Sequence, residues 1–323
     1  MTNKEIYKKT LTFSLRRVLI DILAFLLLGA FCTAGFLLMD KFTDKGLIGL
    51  GIGLVIGIIV LAIVLRFVSY KYKAGQIAMM TKGVTEGTLP EDVLGEGKAA
   101  VKERFTTVAA FFAVTGVIKG IFNQLSRGLT SVGNAIGGDT GGTVGSVIGS
   151  GVQTVVGYLC DCCLGWVFYR KDQKTAKATC EGAVVFFKHG KTLLRNVGRI
   201  FGISLLFLVL IGGAFFGIFF GIFSMLPRTF ELLTAEIAEA AVRLETELPA
   251  FFSDPKNVTI AAAGIVALIV WGIIHSVFVR PFILVGVLRN YMESGMNDVP
   301  TEESFAALEN KSSKFRKFRE KEA

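Results

Sequence analysis

The chain has 323 residues, 52% of them hydrophobic and only 19% charged, with mean hydropathy +0.59, a balance too apolar for a soluble domain of this length. Its net charge is +9, from 35 Lys and Arg against 26 Asp and Glu, and it holds two histidines and five cysteines. An odd cysteine set with three crowded together excludes a secreted disulfide framework, and two histidines leave little for a metal or acid-base centre.

In chain order, six apolar stretches predict an all-α, polytopic membrane bundle with spans at about 18–39, 47–69, 105–127, 143–169, 200–225 and 259–281. Each approaches the ~20 residues that cross a ~30 Å hydrocarbon layer as a helix. The first is too long for a signal peptide and a second follows almost at once, so an intact chain is expected. Six spans put both termini on one side, and the basic residues choose which. The segments up to Arg17, Arg66–Arg104, Arg170–Arg199 and Arg280 onward carry 28 of the 35 Lys and Arg. That excess predicts cytoplasmic termini in a multi-pass cell-membrane protein, and it explains the basic charge without nucleic acid as a partner.

Glycines recur every fourth residue in three places: Gly49, Gly53, Gly57; Gly133, Gly137, Gly141, Gly145, Gly149; and Gly213, Gly217, Gly221. Such ladders form side-chain-free grooves on helices. In lipid, where no hydrophobic force draws helices together, close backbone contact between small residues supplies the attraction. Packing within one chain and self-association into a homo-oligomer are both open to these ladders.

Between the spans, the cytoplasmic segments read as helical. Thr88 with Glu91 predicts a capping box, and Asp298 is expected to cap a matching helix after the last span. The outer segment 227–258 predicts an amphipathic surface helix, with Phe230, Leu233, Ile237, Ala241, Leu244 and Leu248 as its apolar stripe. The cytoplasmic tail 299–323 ends in KSSKFRKFREK, Lys311–Lys321, expected to be a solvated tail, with contact to anionic lipid as the alternative.

Ionisable residues inside spans are costly and therefore candidates for function. Those here are Lys119, Asp161 and His275; Asp21 sits beside Arg17 and reads as a local ion pair. Asp161 and His275, with Tyr158 and Trp271, could hold a cation through a carboxylate and aromatic faces. Structural alternatives stand beside this: an Asp161 paired with an inner arginine or with Lys119, and a His275 bonded between helices. Cys160, Cys162 and Cys163 read as small apolar packing, with palmitoylation or a metal as weaker alternatives, because no second Cys or His cluster completes a ligand set. No P-loop, nucleophile elbow or HExxH pattern occurs, so neither an enzyme nor a cofactor is expected.

Two segments of the second half, GAVVFFKHGKTLLRNVGRI (Gly182–Ile200) and IIHSVFVRPFILVGVLRNYMESGMND (Ile273–Asp298), resemble choline-transporter-like proteins. Arg195, Asn196, Arg199 and His275 occupy resembling positions. The resemblance implies a transporter-like membrane protein moving choline or a similar small organic cation. The alternative expectation is a non-catalytic scaffold or oligomeric pore held by glycine ladders.

Overall fold

The computed structural model describes residues 1–43, 45–137, 157–195, 202, 204–243 and 246–322, and all regular structure among them is helical. The chain divides into two compact units, Met1–Gly198 with Arg280–Ala323, and Arg199–Val279.

The first unit begins with α1 (Asn3–Thr43) and α2 (Gly46–Phe67), a hairpin of two long apolar helices. A Cβ at Gly35 would strike the Gly49 carbonyl oxygen, and one at Gly53 would strike that of Phe31. Gly57 faces the side chain of Leu28. The two backbones therefore approach through glycine, while Leu26, Leu38, Val55 and Ile59 remain exposed, as side chains facing lipid would.

At 41 residues α1 spans about 60 Å, twice the apolar thickness of a bilayer. Its first half is accordingly packed in protein: Ile6, Thr10, Phe13 and Ser14 are fully buried. They lie against α3 (Ser69–Thr85) and α4 (Val93–Arg104). Gly75 of α3 and Gly97 of α4 leave room for the Phe13 ring, and Gln76 donates to Thr10 O at 3.2 Å and Ser14 Oγ at 2.9 Å. Gly87, at φ 72°, takes the left-handed conformation that follows the end of α3. The cap of α4 is Asp92, whose carboxylate accepts from the Gly95 amide at 2.8 Å, rather than Thr88. Residues 88–92 are not helical, and the helix starts later than expected.

α5 (Val108–Gly137) leads toward the long glycine ladder. Gly133 and Gly137 fall on this helix, while Gly141, Gly145 and Gly149 lie outside the described residues, as does most of the span expected at 143–169. The described end of that span, α6 (residues 157–169), is the centre of the unit's core. Tyr158, Leu159, Cys162, Cys163, Leu164, Trp166, Val167 and Phe168 are all buried. This stretch is enclosed by protein, not lipid: Gly165 abuts Leu288 and Thr81, Gly182 abuts Cys163, and Gly295 abuts Trp166. The enclosing helices are α3, α7 (Thr175–Arg195) and α11 (Arg280–Asn297).

The C-terminal α12 (Glu302–Lys311) and α13 (Ser313–Glu322) close the unit. Asp298 does not cap α12; Thr301 holds that position, and Asp298 instead bonds Lys188. Contrary to expectation, the basic tail is not wholly solvated. Phe305, Leu308 and Phe315 bury themselves against Ile121, Cys180, Ala183 and Val184, and Arg319 bonds Glu302 and Glu309 at 2.5 and 3.0 Å. The phenylalanines of KFRKF supply an apolar side that the charge run conceals.

In the second unit a π-helical turn, Leu208–Gly212, precedes α8 (Gly213–Ser224), followed by α9 (Pro227–Arg243), α10 (Pro255–Ile274) and a second π-helical turn, His275–Val279. α9 is shorter than the expected amphipathic segment: Phe230 and Ala241 are buried, Leu233 is exposed, Leu244 lies outside the described residues and Leu248 falls beyond the helix. Asp254 caps α10 by accepting from the Lys256 amide. A Cβ at Gly213, Gly217 or Gly221 would meet nothing within 4 Å among the described residues.

Four described helical stretches are long and apolar enough to cross a membrane: Asn3–Thr43, Ile48–Thr85, Ser204–Ser224 and Pro255–Asn297. A fifth is added if the pair Val93–Arg104 and Ala109–Gln124, bent by 83°, is one broken span.

Candidate functional site: a basic cavity around Asp161

In the first unit, α1, α3, α5, α6 and α11 enclose a cavity of about 680 Å³. Its floor is Asp161, whose side chain is almost wholly buried. Lys73 Nζ lies 2.7 Å from Oδ1, and Arg280 Nη2 donates to Oδ2 at 2.6 Å and to the Gly157 carbonyl at 3.1 Å. A buried carboxylate is tolerable only when paired and bonded in this way. The Arg280 guanidinium also lies 5.3 Å from the centre of the Tyr158 ring, within cation–π range.

Arg17 and Lys119 complete the lining, with Ser69, Tyr70, Phe111, Phe112, Thr115 and Asn123. Four cations thus face one carboxylate among the described lining residues. Asp21, four residues beyond Arg17, is buried within electrostatic range of it but does not line the cavity. Lys119 is exposed and holds no ion pair among the described residues. Arg280 Nε and Ser69 Oγ are buried without a hydrogen-bond partner there, and so is the hydroxyl of Tyr158. Lys119, Arg280 Nε and Ser69 Oγ therefore leave charge and donors in the cavity that no described residue pairs.

The sequence-level candidates separate accordingly. Asp161, Tyr158 and Lys119 come together, with Asp161 paired to Lys73 and Arg280 and not to Lys119. Trp271 and His275 belong to the other unit, their rings 5.4 Å apart, and they do not line this cavity. Cys162 and Cys163 are fully buried, which removes them as acylation sites, and Cys160 lies in the cavity wall. Arg195 is on α7, while Asn196 and Arg199 lie outside the described residues. The inner arginine offered as a partner for Asp161 is Arg280, which sequence reasoning did not single out, and Lys73 was missed. Each stands beside an apolar run, where a basic residue is explained by insertion alone.

A second cluster holds the core in register. Glu181 is buried and accepts from Trp166 Nε1 at 3.2 Å and Gln173 Nε2 at 2.9 Å, with Arg170 at 3.3 Å. Arg104 reaches from α4 to the last turn of α6, donating to the carbonyls of Val167, Arg170 and Gln173 at 2.8, 2.7 and 2.6 Å. Its planar fork satisfies groups that a helix end leaves without partners.

Long helices with exposed apolar side chains, joined to a charged helical unit, define the class: an all-helical, multi-pass membrane protein. No family model, no curated protein and no solved structure matches the chain.

Proposed function

We propose that the chain is a transporter-like, multi-pass protein of the cell membrane, with no reaction of its own, that takes an anionic group into the basic cavity from the cytoplasmic side. The observation that carries this reading is the charge imbalance: Arg17, Lys73, Lys119 and Arg280 face a single carboxylate already held by two of them. An organic cation such as choline, implied by the resemblance to choline-transporter-like proteins, finds no free carboxylate among the described lining residues and meets Lys119 beside it. Cytoplasmic termini are supported by the first unit, which gathers the four basic segments up to Arg17, 66–104, 170–198 and 280–323.

The test is thermal melting of the full chain in a neutral detergent with inorganic phosphate or choline added. Phosphate raises the melting temperature saturably, choline does not, and Lys119→Gln weakens the phosphate effect. Stabilisation by choline that disappears in Asp161→Asn would return the cargo to an organic cation.

A second reading, a scaffold or pore assembled as a homo-oligomer, is favoured by the face of Gly213, Gly217 and Gly221, which no described residue covers. Cross-linking in native membranes that yields only monomer removes it.

A further inference from the structure

We infer that the group taken into the basic cavity is the phosphate headgroup of a membrane amphiphile, whose tail lies along the aromatic wall. This rests on the anion reading above and adds the class of ligand. Three observations point to it.

Three of the four cationic residues stand at the ends of apolar runs. Arg17 directly precedes the run that starts at Val18, Arg280 directly follows Val279, and Lys73 comes one turn after Ser69, where α3 takes over from the apolar α2. Headgroup phosphates occupy that same boundary between hydrocarbon and water, and basic pockets between membrane helices on the cytoplasmic side suit them. Guanidinium groups add a planar fork matched to phosphate oxygens.

One wall of the cavity is aromatic and leads to the exposed apolar end of α2. Phe67, 49% exposed at the end of α2, has its ring 5.8 Å from that of Phe112. Phe112 in turn lies 5.7 Å from Tyr70 and 5.3 Å from Phe111. A soluble anion uses only the cationic end, whereas an amphiphile also covers this wall and gains its apolar burial.

The cavity is also far larger than a phosphate ion. At about 680 Å³ it falls in the range that holds a whole organic ligand, and Arg280 Nε and Ser69 Oγ remain to be bonded.

The phosphate could come from a lipid or from solution, and one experiment separates the two. The full chain, stripped of lipid in a nonionic detergent, is titrated by thermal melting with dioctanoyl phosphatidic acid, dioctanoyl phosphatidylcholine and inorganic phosphate. The expected order is phosphatidic acid about tenfold or more ahead of inorganic phosphate, with phosphatidylcholine weaker than phosphatidic acid because its ammonium meets like charge. Phe112→Ala weakens the lipid about tenfold and leaves phosphate unchanged, and Lys119→Gln weakens both. Equal potency of phosphatidic acid and inorganic phosphate overturns the amphiphile and leaves the anion reading standing. Lipid stabilisation that neither variant alters is a detergent-like effect and overturns it too. Absence of binding by all three removes both readings. If Phe112→Ala melts early without ligand, the exposed Lys119→Gln decides alone: lipid binding that it leaves unchanged sinks the inference.

Discussion

Removing the Asp161 carboxylate would leave Lys73 and Arg280 facing each other across the cavity floor with nothing between them. Breaking a fully buried pair costs about 3–5 kcal/mol, but these two cations are 37% and 31% exposed and partly solvated. Asp161→Asn is therefore expected to cost a smaller amount, about 1–3 kcal/mol, in denaturant titration of the detergent-solubilised protein. The same change removes negative charge from the cavity, so phosphate should bind the variant more tightly, the opposite of what a cation site requires. Asp161 was legible in the sequence because an acid within an apolar stretch is expensive. That an inner arginine could pair with it was also legible, but which arginine, and Lys73 beside it, were not, because these come from α11 and α3 and linear spacing does not encode that meeting. Asp298 offers a pH test. Its carboxyl accepts from Lys188 at 2.6 Å and lies 3.2 Å from His189, and chiefly the Lys188 bond holds its pKa below the ordinary 3.8. Because folding lowers that value, the contribution is complete above the usual carboxylate range and fades as pH falls through the folded pKa. Melting temperature measured from pH 5 to pH 3 should fall more steeply in the wild type than in Asp298→Asn.

At the level of elements, α6 depends on Arg104, whose three carbonyl bonds tie the end of one helix to the end of another. Lysine keeps the charge but cannot serve three acceptors in one plane, so Arg104→Lys should destabilise by about 1.5–3 kcal/mol in the same titration. The glycine ladders divide by what they face. Gly49→Val would drive a side chain into the Gly35 carbonyl and Met39, forcing α1 and α2 apart, and a clear fall in melting temperature is expected. Gly217→Ala should change it little, since no described residue lies within 4 Å of the added methyl. Periodicity alone revealed the ladders but not which of them is occupied. It also passed over Gly75 and Gly97, a single pair outside any ladder that seats Phe13 between α3 and α4. Helix existence was legible from apolar run length, whereas the starts of α4 and α12 were misplaced because several capping residues stand close together and tertiary packing selects among them.

For the whole molecule, the number of crossings is constrained by what the first unit contains. Arg289 donates to Asn3 at 2.7 Å and to the Met1 carbonyl at 2.8 Å, while α12 and α13 pack on α5 and α7 in the same unit. These contacts bring both ends of the chain into one unit, as the proposed six-span topology requires. The charge count agrees, since 28 of the 35 basic residues lie in the segments assigned to that side. On the proposed six-span topology, α9, with Glu231, Glu236 and Glu239, is expected on the outer side. Single cysteines introduced as Ala240→Cys and Glu320→Cys, with Cys32 and Cys160 replaced by serine, test this in intact cells with a membrane-impermeant maleimide. The cysteine at 240 should label at once and the one at 320 only after permeabilisation. Labelling of both before permeabilisation would put the acidic helix and the C-terminal helices on one face, and the cytoplasmic entry to the basic cavity would fall with that topology.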